Sequence, residues 1–91
     1  MSYLPRITKF DVTASHCVAL NFDDGTSGIW QADLDAFFGP IGEPLRDPVY
    51  FARVFIENGA LVWPNGFDAS PVALYQDLKM LGKLVPNMAA A

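Results

Sequence analysis

Residues 53–63, RVFIENGALVW, place an Asn58-Gly59 pair between two apolar runs. An Asn-Gly pair is the strongest short signal for a two-residue turn between antiparallel strands, so this stretch predicts a β-hairpin. If Glu57 pairs with Ala60, apolar side chains lie on both faces of the hairpin. We therefore expect the hairpin to be central in the sheet, because a strand that is apolar on both faces is typically covered on both.

Upstream of the hairpin, residues 6–31 are rich in β-branched and aromatic side chains. This composition, interrupted by short turn signals, predicts three strands. The clearest strand covers residues 16–22, where alternate side chains point to opposite faces. Its predicted core face consists of Val18, Leu20 and Phe22.

The acidic turn at residues 23–25, Asp-Asp-Gly, joins the second and third predicted strands and leaves two registers open. A two-residue type I′ turn sets Leu20 opposite Ile29. A three-residue loop instead sets Val18 opposite Trp30. Local sequence favours neither register over the other.

Two helical segments are predicted between the third strand and the hairpin. Residues 31–38 contain a capping Asp33 and apolar spacing typical of a short helix that buries one side. The predicted buried stripe is Leu34, Phe37 and Phe38. Residues 39–48 contain two glycines and three prolines and predict an irregular connector. At its end, residues 47–51 predict one capped helical turn that begins with a proline.

The last predicted element is a helix that Ser70 caps, with Pro71 in its first position and an end near Gly82. Its predicted buried stripe is Leu74, Leu78 and Leu81. Residues 86–91 are expected to form a frayed tail. The order β-β-β-α-α-β-β-α predicts a single α+β domain over residues 1–91, with a mainly antiparallel sheet of about five strands covered by helices.

Composition limits the functions open to this domain. The chain has 91 residues, of which 52% are apolar, and a net charge of −4. A negative net charge does not favour binding to the phosphate backbone of a nucleic acid, so we expect no direct binding of nucleic acid. The single cysteine, Cys17, has no internal disulfide partner, which indicates a reducing, cytoplasmic compartment. Neither a signal peptide nor an apolar run of transmembrane length is present in the sequence, so no contact with a membrane is expected.

Two clusters of motifs resemble a known family. The first is LNFDDG at residues 20–25, and the second spans residues 51–68, with its Asn58-Gly59 turn and the run WPNGFD at 63–68. Together they resemble the short bacterial domain-of-unknown-function family twenty-four forty-two. The resemblance implies a binding module that stands alone, beside suspected toxin–antitoxin partners, or before a helix-turn-helix domain. It supplies no catalytic residue.

The side chains that most often perform chemistry are few. His16 and Cys17 are the only imidazole and thiol, and neighbouring strand residues point to opposite faces, which argues against a nucleophilic pair. A structural zinc site normally takes four such ligands. We interpret His16 as a polar group at a strand edge and Cys17 as a small packed residue. The sequence therefore predicts a protein that is not an enzyme and that has no metal or cofactor.

Acidic residues are concentrated in residues 21–45. This segment holds five acidic and no basic residues, whereas the rest of the chain holds five acidic and six basic residues. The five acids are Asp23, Asp24, Asp33, Asp35 and Glu43. Because a turn, a helix start and a connector are surface elements, we expect these carboxylates to form one face of negative potential.

Our first functional hypothesis follows from this acidic face. It is a non-enzymatic inhibitor that blocks the nucleic-acid-binding surface of a basic partner, and it is similar in size and acidity to phage anti-CRISPR proteins that mimic DNA. The partner would be a CRISPR effector subunit, bound through the five acids. The alternative is an antitoxin-like or regulatory module that binds a co-encoded toxin through a hydrophobic surface, such as residues 74–85. Either form is expected to be a monomer or a weak homodimer.

Overall fold

The computed structural model describes residues 3–86. The strands are β1 (Ile7–Ala14), β2 (Cys17–Phe22), β3 (Thr26–Gln31), β4 (Phe55–Glu57), β5 (Ala60–Val62), β6 (Asp68–Ala69) and β7 (Val85–Pro86). The helices are α1 (Gly39–Gly42), α2 (Pro48–Phe51) and α3 (Pro71–Met80), with 3-10 turns at Leu34–Ala36 and Glu43–Arg46. The predicted α+β class with antiparallel strand pairing is confirmed.

The strands divide into two antiparallel sheets, in the orders β1-β2-β3-β7 and β4-β5-β6. One sheet of about five strands, with the hairpin at its centre, is therefore the wrong arrangement. β4 is an edge strand, and its Phe55 is exposed. The predicted pairing of Glu57 with Ala60 is confirmed. Asn58 and Gly59 have φ angles of 52° and 79°, the left-handed values that a two-residue hairpin turn requires.

The open register between β2 and β3 is resolved in favour of the three-residue loop. Val18 lies opposite Trp30. The amide of Gly25 donates to the carbonyl of Phe22 at 3.2 Å, and Gly25 has a φ of +87°, which glycine adopts without a Cβ clash. The predicted core face of β2 is confirmed, since its three apolar side chains are buried.

The two sheets meet where the β4–β5 turn touches the start of β1. The amide of Ile7 donates to the carbonyl of Gly59 at 2.8 Å. A Cβ on Gly59 would lie only 2.9 Å from the Cβ of Arg6. Glycine is therefore needed at this position twice over, for its backbone conformation and for the close approach of the two segments.

The segment predicted as a helix over residues 31–38 forms only a 3-10 turn. Asp33 does cap it, with its Oδ1 accepting from the amide of Asp35 at 3.0 Å. Phe37 is buried, but Leu34 and Phe38 are exposed, so the predicted stripe is wrong. The helix stops early because Gly39, with a φ of +78°, precedes a proline that disfavours helical backbone before it.

The predicted irregular connector at residues 39–48 is in fact a series of helical turns. Pro40, Pro44 and Pro48 each lie in the first two positions of a turn. Proline fixes φ near the helical value and lacks an amide that a first turn does not need, so each proline starts a turn. The cap at Asp47 is confirmed, with its Oδ1 accepting from Val49 at 3.0 Å.

α3 has the predicted Ser70 cap, whose hydroxyl accepts from the amide of Ala73 at 3.3 Å. Leu74 and Leu78 are buried, whereas Leu81 lies just after the helix and is exposed, contrary to the prediction. No helix among residues 3–86 has the length and apolar character needed to cross a membrane. The predicted tail begins one residue too early because Pro86 pairs with Thr26, and residues 87–91 lie outside the described residues.

The interior holds an aromatic core. The indole of Trp63 is fully buried and donates from Nε1 to the carbonyl of Phe51 at 2.8 Å. The same ring packs against Phe51 and Phe67, with centroids 5.4 and 5.8 Å away. The single hydrogen bond and these contacts fix how the second sheet lies on α2.

We expect Trp63→Phe to lower the free energy of unfolding by about 2–4 kcal/mol, because it leaves a cavity and an unpaired buried carbonyl. Urea denaturation followed by circular dichroism measures this loss. Val49→Ala, on an exposed side chain, is the control and should change stability by less than about 0.5 kcal/mol. A loss below about 1 kcal/mol for Trp63→Phe would contradict this view of the core.

Candidate functional site

The five carboxylates of the predicted acidic face do not form a single cluster. Asp23 and Asp24 lie in the turn that precedes β3, whereas Asp33 and Asp35 follow its other end. The six residues of β3 separate the two pairs by about 20 Å, at roughly 3.3 Å per residue. Glu43 begins the 3-10 turn of the connector. The acidity is therefore distributed between the two ends of one strand.

Asp23 is held by the N-terminal segment. Its Oδ1 accepts a hydrogen bond from the hydroxyl of Tyr3 and a longer one, at 3.3 Å, from the amide of Arg6. Desolvation and the bond to Asp23 raise the pKa of the Tyr3 phenol above its ordinary value. The carboxylate is thus fixed in position while remaining on the surface.

Asp24 accepts three hydrogen bonds. Its Oδ1 accepts from the amide and the hydroxyl of Thr26, at 3.0 and 2.6 Å, and its Oδ2 accepts from the hydroxyl of Tyr75 at 2.8 Å. Desolvation opposes ionisation, but these bonds outweigh it and lower the pKa of the carboxyl. The resulting stabilisation is present above the ordinary carboxyl pKa of 3.8 and is lost as the pH falls through the folded-state pKa.

The second acidic pair is less constrained. Asp33 caps the 3-10 turn, and Asp35 lies 3.9 Å from a guanidinium nitrogen of Arg46. Both members of that ion pair are well exposed, so solvent screens it and it contributes little to stability. Within residues 3–86, no group of three or more His, Cys, Asp or Glu side chains is arranged to hold a metal ion.

His16 lies in the interior, not at a polar strand edge. It has a φ of +59° in the turn between β1 and β2, which directs its ring against Phe51 at a centroid distance of 4.7 Å. Its Nε2 is 2.8 Å from the carbonyl of Leu45, and because a carbonyl only accepts, Nε2 is the donor. In the neutral ring, Nδ1 then accepts from the hydroxyl of Ser15 at 3.1 Å. Both ring nitrogens hold the fold together.

An apolar surface that sequence reasoning did not single out lies on the outer face of the first sheet. A groove of about 550 Å³ is lined by Cys17, Ala19, Ser27, Gly28, Ile29, Gln31, Lys83 and Val85. The half-buried Cys17 is thus part of a groove wall. The sequence contains one signal for this surface. Side chains alternate along a strand, so Ile29 and Trp30 lie on opposite faces of β3.

A second groove of about 290 Å³ adjoins the first and shares Ile29, Gln31 and Lys83 with it. Four large apolar side chains line the pair of grooves and remain exposed: Ile29 at 55%, Met80 at 86%, Leu81 at 66% and Val85 at 53%. We call these four residues the Ile29 surface. Asp33 and Asp77 lie at the rim of the second groove. An apolar centre with a charged rim is the usual composition of a protein interface.

A family model described as "Protein of unknown function (DUF2442)" matches residues 7–79. This chain belongs to that family. The resemblance predicted from the LNFDDG and WPNGFD motifs is therefore confirmed. No curated protein and no solved structure matches the chain.

The WPNGFD run of this DUF2442 chain has a structural role that its turn residues only partly indicate. The Oδ1 of Asn65 accepts from the amide of Phe67 at 3.1 Å, as in an Asx turn. Its Nδ2 donates to the carbonyl of Ile41 at 2.8 Å. Asn65 therefore ties the loop after β5 to α1, a contact across 24 residues that local sequence does not reveal.

Replacing Tyr75 by Phe tests the anchoring of Asp24. The hydrogen bond to Asp24, and to a lesser extent desolvation, raise the pKa of Tyr75 above its ordinary value of 10.0. The contribution of the Tyr75 hydroxyl to folding stability is therefore fully present below about pH 10 and is lost as the pH rises through the folded-state pKa. We expect Tyr75→Phe to be less stable than the wild type at pH 7–9, and the difference to shrink as the pH rises above the ordinary tyrosine pKa of 10.0. Urea denaturation over this pH range measures both.

Tyr50→Phe is the matched control, because no side chain or backbone group among residues 3–86 is hydrogen-bonded to the Tyr50 hydroxyl. It removes no hydrogen bond, so it should cost less stability at pH 7–9 than Tyr75→Phe does. A Tyr75→Phe profile parallel to the wild-type profile from pH 7 to about pH 12 would rule out the proposed role of the hydroxyl.

Proposed function

We propose that this protein is a non-enzymatic binding module whose Ile29 surface holds an apolar segment of a partner protein, in the manner of an antitoxin bound to a co-encoded toxin. The observation that supports this most directly is the continuity of the two grooves around Ile29. Four exposed apolar side chains surround a concavity of a size that accepts side chains of another protein.

The charged residues around the grooves indicate which side chains a partner would place opposite them. Lys83 lines both grooves, and Asp33 and Asp77 line the second one. A partner that fits has an apolar segment with a basic side chain facing the two aspartates and an acidic or polar group facing Lys83. Apolar contacts would supply most of the affinity, and the rim charges would set the orientation.

Ile29→Lys should weaken binding of the partner that co-purifies with the wild-type chain by at least about tenfold, because it puts a charge at the centre of the apolar surface. Isothermal titration calorimetry with that purified partner measures the dissociation constant. Val49→Lys adds the same charge at a side chain that is 75% exposed and outside both grooves, and should bind as the wild type does.

Salt provides an independent check. An apolar interface should hold its affinity within about threefold between 50 mM and 500 mM salt, since only exposed rim charges are screened. Equal binding by Ile29→Lys and Val49→Lys, with both variants folded, would exclude the Ile29 surface as the binding site.

A second candidate function is the DNA-mimic inhibitor, an anti-CRISPR-like protein that covers the nucleic-acid-binding surface of a basic partner. The observation that favours it is the fixed position of two adjacent carboxylates, Asp23 and Asp24, by hydrogen bonds from Tyr3 and Tyr75. Carboxylates held in place lose little entropy when they meet a partner's basic groups. Phe38, which is 75% exposed and close in sequence to the second acidic pair, would act as an aromatic anchor.

Charge reversal of Asp23, Asp24 and Asp35 to Lys distinguishes this candidate from the first, because none of the three lines either groove, whereas Asp33 does and is kept. Mimicry predicts that the triple variant loses binding by more than about a hundredfold, and that wild-type affinity falls steeply as salt is raised. Calorimetry at two salt concentrations measures both. Unchanged binding by a folded triple variant would exclude the mimic and leave the Ile29 surface as the interface.

A further inference from the structure

β1 has a long unpaired edge. It is the first strand of the sheet β1-β2-β3-β7, so only one of its sides is hydrogen-bonded to another strand. At its start, the amide of Ile7 uses the outer side to reach Gly59. Beyond Ile7, no backbone group of residues 8–13 bonds to any part of the described chain except β2. An open edge of this kind is a template for another strand.

The part of this edge that can pair with another strand is short and has a regular register. Register shifts interrupt the β1–β2 ladder between Ile7 and Lys9 and again between Val12 and Ala14. Between them, residues 9–12 keep an unbroken register with β2. Lys9 and Asp11 alternate with Phe10, so their exposed side chains lie on the same outer face of the sheet. Neither forms an ion pair within residues 3–86.

Sheet geometry and charge together select one way for two copies of this edge to pair. In an antiparallel pair, residues directly opposite each other share a face, so a symmetric pairing is centred on a residue. Centring on Lys9 or on Asp11 sets like charges opposite each other, which is destabilising, and centring on Val12 sets no two charged side chains opposite each other. Centring on Phe10 sets Lys9 opposite Asp11 of the second copy, and Asp11 opposite its Lys9.

We propose that this protein forms a two-fold symmetric dimer through antiparallel pairing of β1 with β1 of a second copy, centred on Phe10. The two four-stranded sheets then become one continuous sheet across the dimer. Two equivalent Lys9–Asp11 pairs fix the register, since this is the only centre within residues 9–12 that opposes unlike charges.

The same features limit assembly to two copies. The opposite edge of the sheet is β7, of which two residues lie within the described part of the chain. The register shifts at both ends of the β1 window keep the paired segment short, so the dimer is weak and assembly does not continue into a fibre. This proposal uses neither the Ile29 surface nor the acidic turn, so it is independent of the proposed function.

Sedimentation velocity from about 10 µM to about 1 mM tests the dimer with charge-swap variants. Lys9→Asp and Asp11→Lys each place like charges opposite one another and should raise the dimer dissociation constant by about tenfold. The double variant Lys9→Asp/Asp11→Lys restores unlike pairs and should dimerise as the wild type does. An equimolar mixture of the two single variants should form a heterodimer.

Lys79→Asp is the matched control, because it makes the same charge change on an exposed residue of α3 and should leave the dissociation constant unchanged. Circular dichroism of each variant confirms that it is folded. A wild type that stays monomeric up to about 1 mM would overturn the proposal. A folded double variant that does not recover dimerisation, or a mixture that stays monomeric, would overturn it as well.

Discussion

The contacts of the Phe51 ring are the interaction on which the rest of this structure depends. The ring is fully buried. His16 of the β1–β2 turn and Trp30 of β3 lie at centroid distances of 4.7 and 6.0 Å, and Trp63, directly after β5, lies at 5.4 Å. Phe37, from the segment between the sheets, lies at 6.1 Å. A sheet of three or four strands needs a buried hydrophobic face to be stable, and each of these two sheets buries its face against the same ring. The ring therefore links the two sheets into one core.

The helical turns between the two sheets that have a proline among their first two residues position the Phe51 ring. Leu45 is fully buried, and its carbonyl is bonded to His16, while Asn65 holds the carbonyl of Ile41. The connector is therefore fixed by side chains from both sheets, and a long helix is not needed to position Phe51. Within residues 3–86, every buried side-chain polar atom has a hydrogen-bond partner. The polar groups that remain available to another molecule lie on the surface.

The features that sequence predicted are those set by neighbouring residues. The Asn58-Gly59 turn and the Ser70 cap depend on contacts within a few positions, and both follow from local chemistry. The burial of His16 depends on Leu45, 29 residues away, and no local pattern reports it. The acidic residues lie in turns and caps, as local sequence predicts, whereas the distance between the two pairs follows from the length of β3. The Ile29 surface depends on where Met80 and Val85 return beside β3, which only the folded chain shows.

The two candidate surfaces differ in how much of their composition the fold itself explains. Asp24 anchors a turn and receives the Tyr75 hydroxyl, and Asp33 caps a helical turn, so stability alone accounts for a carboxylate at each position. No comparable structural role explains the exposed Ile29 or Met80, because each shows more than half of its surface to solvent and a polar side chain at either position would be better hydrated. Scattered apolar residues on a surface need no explanation, but these residues share one pair of grooves. The apolar surface is therefore the stronger indication of a partner, and the carboxylates at the ends of β3 are the stronger indication of how the sheet is held.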